Sequence, residues 1–204
     1  MRNERGVISL ILGIAVLFIF VMPEGIMAKE KQVTKELKKT IDEVVLIVND
    51  EKLKQDPKAR REMLRDTINK RFNYDQMAVR ALAENWSPRT SEERKKFTQR
   101  FKNLLERSYA EKIESFSNGK IRFTDELVKG KYALVKTRVE SQGKFINLDY
   151  KLIQENGEWK IYDFVIKGVS IIHNYRHQFS KALKKQSFGE LLEKLEKSGG
   201  ENIT

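Results

Sequence analysis

The spacing of apolar positions changes along this chain, and each change marks an element. Val33, Leu37, Ile41, Val44 and Val48 recur at helical intervals and form one apolar stripe. The polar stretch NDEKLKQDP interrupts it. Asp56-Pro57 supplies an N-cap and a first-turn proline, which opens a second helix to about Arg71. FNYDQMAVRALAENW predicts a third helix carrying Met77, Leu82 and Trp86, stopped by Ser87-Pro88. Thr90 followed by Glu93 is a capping box. It opens a long helix to about Phe116, on which Phe97, Phe101, Leu104, Leu105, Tyr109, Ile113 and Phe116 share a broad aromatic side.

Beyond about Ser117 the period falls to two, the mark of strands. KIRFTDEL, YALVKTRVESQ, FINLDYKLIQE and EWKIYDFVIKG predict four strands. Their links are Gly130, Gln142-Gly143-Lys144 and Asn156-Gly157, and Asn-Gly is a strong hairpin signal. In the last strand, alternation sets Trp159, Ile161 and Val165 against Tyr162, Phe164 and Ile166, so both faces are covered. Asp163 falls on the Trp159 side. Two helices follow, from about Ser170 and from about Phe188. The expected architecture is α+β: N-terminal helices, a curved antiparallel four-stranded sheet, and C-terminal helices closing over it. No internal repeat or second domain is visible.

The N-terminus stands apart. Arg2 and Arg5 precede a continuous apolar run from Gly6 to Met22, then Pro23, Gly25 and the small residue Ala28. This order predicts a secretory signal peptide over residues 1–28, with an uncleaved anchor as the alternative. One domain then spans 29–197, and 198–204 reads as a disordered tail. Arg2 and Arg5 balance Glu4 and Glu24, so removing the segment leaves the formal net charge of +11 unchanged. A basic secreted protein meets anionic lipid or acidic partners rather than nucleic acid. Cysteine is absent, which excludes disulfides, thiolate nucleophiles and Cys-based metal sites.

Both histidines of the chain, His173 and His177, lie in the segment GVSIIHNYRHQFSKALKK. Two imidazoles four apart on a helix resemble a metal site. Turning by about 100° per residue brings Tyr175, Phe179, Ala182 and Leu183 within about 80° of Ile172. The histidines fall about 100° and 140° away, beside Ser180 and Lys184, so the pair faces solvent and no metal site is expected. Arg176 sits on the shoulder of the apolar stripe. There it reads as an ion-pair partner of Asp163 or Asp149, or as a contact to a phosphate or a partner protein. No hydrolase, P-loop or dinucleotide motif is present, so no enzyme is expected. The apolar side of the long helix, one face of the sheet (Val135, Val139, Leu148, Tyr150, Leu152) and the stripe Ile172, Tyr175, Phe179 must converge. By periodicity alone, ordinary packing is the default reading of that set.

Two blocks carry a resemblance. FNYDQMAVRALAENWSPRTSEERKKFTQRFKNLLERSYA holds Met77, Leu82, Trp86, Glu93, Phe97, Phe101, Leu104, Leu105 and Tyr109. VKTRVESQGKFINLDYKLIQENGEWKIYDFVIKGVSIIHNYRHQF holds Thr137, Asp149, Tyr150, Trp159, Tyr162, Asp163, Gly168, Ser170, Tyr175, Arg176, Gln178 and Phe179. Both are similar to the toluene-tolerance family of periplasmic phospholipid-binding proteins, which includes MlaC. Ala83 stands where that pattern has glycine, and Leu148 where it has valine. The resemblance implies a periplasmic carrier without a cofactor, its cargo a glycerophospholipid. The implied partners are an outer-membrane lipoprotein complex and an inner-membrane ABC transporter with an MCE-domain subunit. The pocket lining expected on this basis is Phe101, Leu105, Tyr109, Val139, Leu148, Tyr150, Leu152, Trp159, Ile161, Ile172, Tyr175 and Phe179. Asp149, Asp163 and Arg176 are expected to be structural or partner contacts. The alternatives are a secreted non-lipid adaptor of the same fold and, behind it, a secreted hydrolase.

Overall fold

Seven helices and five strands follow one another in a computed structural model that describes residues 31–114, 116, 119–141 and 143–197. The expected signal segment and tail lie outside the described residues. No described helix is long and apolar enough to cross a membrane.

Four helices come first: α1 (Gln32–Asn49), α2 (Glu51–Gln55), α3 (Pro57–Arg71) and α4 (Tyr74–Leu82). The short α2 fills the stretch that reads as an interruption. Asp50 caps it by accepting from the amides of Lys52 and Leu53. Asp56 caps α3 through Ala59 N–H, with Pro57 in the first turn as expected. α1 has no side-chain cap of its own. Glu126, from the sheet, accepts from Thr34 N–H at 2.6 Å and serves that end instead. A single 3-10 turn (Ala83–Asn85) follows α4. The long helix α5 (Ser91–Glu114) opens on the expected capping box, with Thr90 N–H donating to Glu93 (2.8 Å) and Glu93 N–H to Thr90 Oγ1 (3.2 Å).

The sheet is an antiparallel meander of β1 (Lys120–Lys129), β2 (Tyr132–Ser141), β3 (Lys144–Glu155), β4 (Glu158–Ile166) and β5 (Val169–Ser170), in that spatial order. It has five strands rather than four, because the chain doubles back after Ile166 and pairs two residues before turning helical. Asn156 and Gly157, with φ of 51° and 83°, make the tight β3–β4 turn. Then come α6 (Ile171–Leu183) and α7 (Phe188–Lys197).

Two bulges bend the sheet and break its alternation. One is at Thr124 in β1, the other at Tyr162 in β4. The second overturns the parity expected for β4. Leu152 pairs with Ile161 but Tyr150 pairs with Phe164, so Trp159, Ile161, Phe164 and Ile166 all share the inner face. Tyr162, Asp163 and Val165 point outward, and Asp163 is not on the Trp159 side.

The inner face meets the helices. Phe97 and Phe101 of α5 interlock with Tyr175 and Phe179 of α6 and Phe188 of α7, at ring separations of 5.1–6.1 Å. α3 joins the sheet where Phe72 bridges to Ile161 and Asn73 N–H donates to the Ile161 carbonyl.

Candidate functional site

Buried apolar side chains form two clusters, not one. The larger joins the sheet to α4–α7 and takes in Val33 and Leu37 from the start of α1. The smaller is Ile47, Val48 and Leu64, with Val44, Leu53 and Ile113 half-buried against it. Two helices run from one cluster to the other. On α1, Ile41 packs against the first and Val44 against the second. On α5, Tyr109 packs against the first and Ile113, one turn on, against the second. All four are half-buried. Both helices therefore carry half-covered apolar side chains where they pass from one cluster to the other, and this half-covered stretch is the apolar seam.

The sheet floors this seam. Its inner face is sealed at the β1–β2 turn end, where Ala133, Val135, Leu152, Ile161 and Trp159 are buried. Toward the β2–β3 turn the same face stays half-covered at Phe123, Val139, Ile146, Leu148, Tyr150 and Ile166. Phe72 and Tyr74 stack beside it at 5.9 Å, and Tyr109 meets Phe164 edge-on at 5.1 Å.

Three tyrosines stand on this lining. Burial pushes the phenols of Tyr74, Tyr109 and Tyr150 well above the ordinary tyrosine value, with Glu106 adding to the effect at Tyr74 and Tyr175 at Tyr109. Tyr74 donates to Asn69 Oδ1 at 2.7 Å. The Tyr109 and Tyr150 hydroxyls find no hydrogen-bond partner among the described residues. A lining of half-covered aliphatic and aromatic side chains suits a long apolar ligand better than a polar one.

Of the twelve residues expected to line a pocket, the seam gathers Tyr109, Val139, Leu148 and Tyr150. Leu152, Trp159 and Ile161 lie in the sealed end of the sheet. Phe101, Leu105, Ile172, Tyr175 and Phe179 belong to the buried packing of α5 and α6. Ile41, Val44, Phe72, Phe123 and Ile166 were not expected there. The α1 stripe carried a usable signal, since an apolar face running from Val33 to Val48 is too long to end in one cluster.

Of the polar residues expected as structural or partner contacts, Asp163 and Arg176 make bonds within the fold. Asp163 is buried and accepts from Lys151 Nζ (2.9 Å), Ser170 Oγ (2.6 Å) and the backbone N–H of Ile172 (3.1 Å). Ser170 in turn caps α6 through His173 N–H at 3.0 Å. Thus the carboxylate of β4 fixes the start of α6. Arg176 does not pair with Asp163 or Asp149. Its Nε donates to the Arg80 carbonyl at 2.8 Å, tying α6 to the last turn of α4. Asp149 lies on the outer face opposite Lys136 and Val165. His173 and His177 are exposed, with their Nε2 atoms 2.8 Å apart, and no group of three metal-ligating side chains occurs among the described residues. On the outer face, Leu127, Tyr132, Leu134 and Tyr162 line a shallow open groove, set apart from the seam by the thickness of the sheet.

These features define an α+β domain whose helices roof a bent antiparallel sheet and leave an apolar seam inside. The chain belongs to the MlaC family, whose family model matches residues 38–197. It is 28% identical over 161 residues to the intermembrane phospholipid transport system binding protein MlaC of Haemophilus influenzae, covering 76% of this chain and 75% of that one. It is 25% identical over 143 residues to a toluene tolerance protein of Pseudomonas putida, covering 69% of this chain and 66% of that one. A solved phospholipid-binding protein from Ralstonia solanacearum, in complex with a phospholipid, shares the fold with a TM-score of 0.75 at 24% identity, over 82% of this chain and 96% of that one.

Proposed function

We propose that this protein carries a glycerophospholipid across the periplasm, with the acyl tails in the seam and the headgroup at its open end. The observation that carries the reading is the divided core: two apolar clusters with half-covered apolar side chains where α1 and α5 pass from one to the other. Two acyl chains hold roughly thirty methylenes, and each costs about 0.8 kcal/mol in water. A carrier has to hide the tails and leave the headgroup hydrated, because an unpaired phosphate is costly to bury. No covalent step is involved. Tyr109, Val139, Leu148 and Tyr150 touch the tails. Leu152, Trp159 and Ile161 form the floor behind them, and Phe101, Leu105, Ile172, Tyr175 and Phe179 the wall. Residues 1–28 direct export and are removed. The cargo passes between an outer-membrane lipoprotein complex and an inner-membrane ABC transporter, whose MCE-domain subunit docks the carrier. Support comes from membership of the family and from the phospholipid named for the relatives.

Extraction of the purified protein with organic solvent, followed by mass spectrometry, tests the reading. Phospholipid in near-stoichiometric amount is expected. Protein recovered empty from a phospholipid-rich host, and still empty after incubation with vesicles, would overturn it.

A further inference from the structure

Two arginines oppose each other on the outer face of the sheet. Arg122 of β1 and Arg138 of β2 are direct cross-strand partners, and neighbouring strands lie only about 4.8 Å apart. Like charges in that relation work against strand pairing. Both side chains are exposed, and neither has a hydrogen bond or ion pair among the described residues. Toward the middle of the same face, cations are partnered: Lys136 lies 3.6 Å from Asp125, and Lys151 2.9 Å from Asp163.

The row of charge continues across the sheet. Arg138 pairs with Asn147 of β3, and the Lys167 N–H donates to the Asn147 carbonyl at 3.0 Å, so exposed Lys167 stands next in the row. Lys120 and Lys144 follow on the side of the β2–β3 turn. The carboxylate that the register puts among them, Glu140, makes no ion pair with any of the five. Charges on an edge strand deter pairing with other chains, which accounts for Lys120 and Arg122. It does not account for Arg138, because β2 is paired on both sides.

Apolar side chains stand among these charges. Phe145 is 53% exposed and Val169 56%. The Arg138 guanidinium lies over the Phe145 ring, 4.4 Å from its centre. Stacking occupies the flat face of the guanidinium and leaves the N–H donors around its edge without partners. On the inner face, Val139, Ile146 and Leu148 are half-covered at this same end of the sheet.

We infer that this end of the sheet docks on an anionic phospholipid surface, with Arg122, Arg138 and Lys167 against headgroup phosphates and Phe145 entering the interface. Mobile lipid phosphates can meet cations held on separate strands and turns, and an exposed ring amid basic residues is what an interfacial segment presents. Docking in this way turns the half-covered end of the inner face toward the bilayer. The inference does not depend on the carrier reading, because attachment is read without lipid transfer.

Flotation of the purified protein with vesicles tests it, using phosphatidylcholine alone and phosphatidylcholine mixed with an equal amount of phosphatidylglycerol. The wild type is expected to bind the mixed vesicles only, and to be released by high salt. A basic residue near such a surface contributes roughly fivefold in affinity, so Arg122→Gln/Arg138→Gln should bind about thirtyfold more weakly. Lys129→Gln/Lys131→Gln removes the same charge at the opposite, β1–β2 end, and should bind within about twofold of the wild type. Phe145→Trp should show blue-shifted fluorescence on the mixed vesicles. No binding of the wild type to the mixed vesicles overturns the inference and leaves an acidic protein surface as the partner of this patch. Equal losses in the two double variants overturn it as well, since attraction then follows net charge. Unshifted emission from bound Phe145→Trp means that another face docks. Should Arg122→Gln/Arg138→Gln fail to fold, Arg122→Gln alone is measured; a loss of about fivefold is expected, and unchanged binding counts against the proposal.

Discussion

Removing the Asp163 carboxylate should loosen α6 more than any other single polar change in the sheet. The residue is 3% exposed and receives three donors. Of these, Lys151 is 35% exposed and returns to water when the partner is lost, so its pair contributes little, at most about 1 kcal/mol. The Ile172 N–H has no such escape, because Ile172 is 2% exposed, and an orphaned buried donor costs about 1–3 kcal/mol. The short Ser170 bond to a charged acceptor adds about 1.5–3 kcal/mol. Asp163→Ala is therefore expected to cost about 3–5 kcal/mol. Asp163→Asn keeps one oxygen for Ile172 but turns an NH2 group toward Lys151 and Ser170, and should cost about 1–2 kcal/mol. In a domain of this size each kcal/mol moves the melting temperature by roughly 2–4 °C, so Asp163→Ala should melt about 10 °C low. Thermal unfolding of lipid-stripped protein, followed by circular dichroism, reads this directly. Two results would refute the reasoning: Asp163→Ala melting with the wild type, or Lys151→Ala costing as much as Asp163→Ala. The second would mean that the ion pair, rather than the orphaned backbone N–H, dominates.

Other expectations follow from the same structure. Leu148→Trp projects into the half-covered seam, so the purified protein should carry little phospholipid while the stability of the empty form changes by less than about 1 kcal/mol; a loss of about 1–3 kcal/mol with lipid content unchanged would mean that the side chain meets a filled core. Ala83 has φ 50° and ψ −120°, a conformation that favours glycine. Ala83→Gly should relieve about 1–3 kcal/mol of strain against about 0.4–1 kcal/mol of added chain entropy, raising the melting temperature by a few degrees, and a fall in calorimetry would contradict it. The Thr90 backbone N–H, helped by the Thr90 hydroxyl and Arg89 and opposed by desolvation, holds the Glu93 carboxyl below its ordinary range. The stabilisation it gives is present above the unfolded-state pKa and is lost as pH falls through the lowered folded value. An NMR titration should find Glu93 titrating low, and an ordinary value would argue against the capping box.

Periodicity made most elements legible, because amphipathic helices and alternating strands advertise which side meets the core. The α5 capping box and the Asp56-Pro57 start could be read from residue types alone, since those interactions are local. The errors arose where a distant neighbour decides. The bulge at Tyr162 inserts one residue into β4, and nothing in EWKIYDFVIKG distinguishes it from simple alternation. The wheel correctly set Arg176 at the edge of the apolar stripe, but its partner is a backbone carbonyl of α4, which no charge pattern reveals. The seam was hardest. Apolar stripes show which side chains turn inward, not how fully each is covered, and so buried Phe101 and Phe179 looked no different from half-covered Leu148 and Tyr150. The glycine-preferring position at Ala83 was visible as a departure from the family pattern, and the positive φ supplies its reason.

The divided core bears on how long each molecule survives. On the carrier reading, cargo is the missing piece of the interior, and a ligand bound only by the folded state adds RT ln(1 + [L]/Kd) to stability. A loaded molecule then resists unfolding and proteolysis better than an empty one. When lipid is scarce, empty copies open more often and are cleared first. The number of carriers in the envelope would thereby follow the traffic they serve, with no separate sensor.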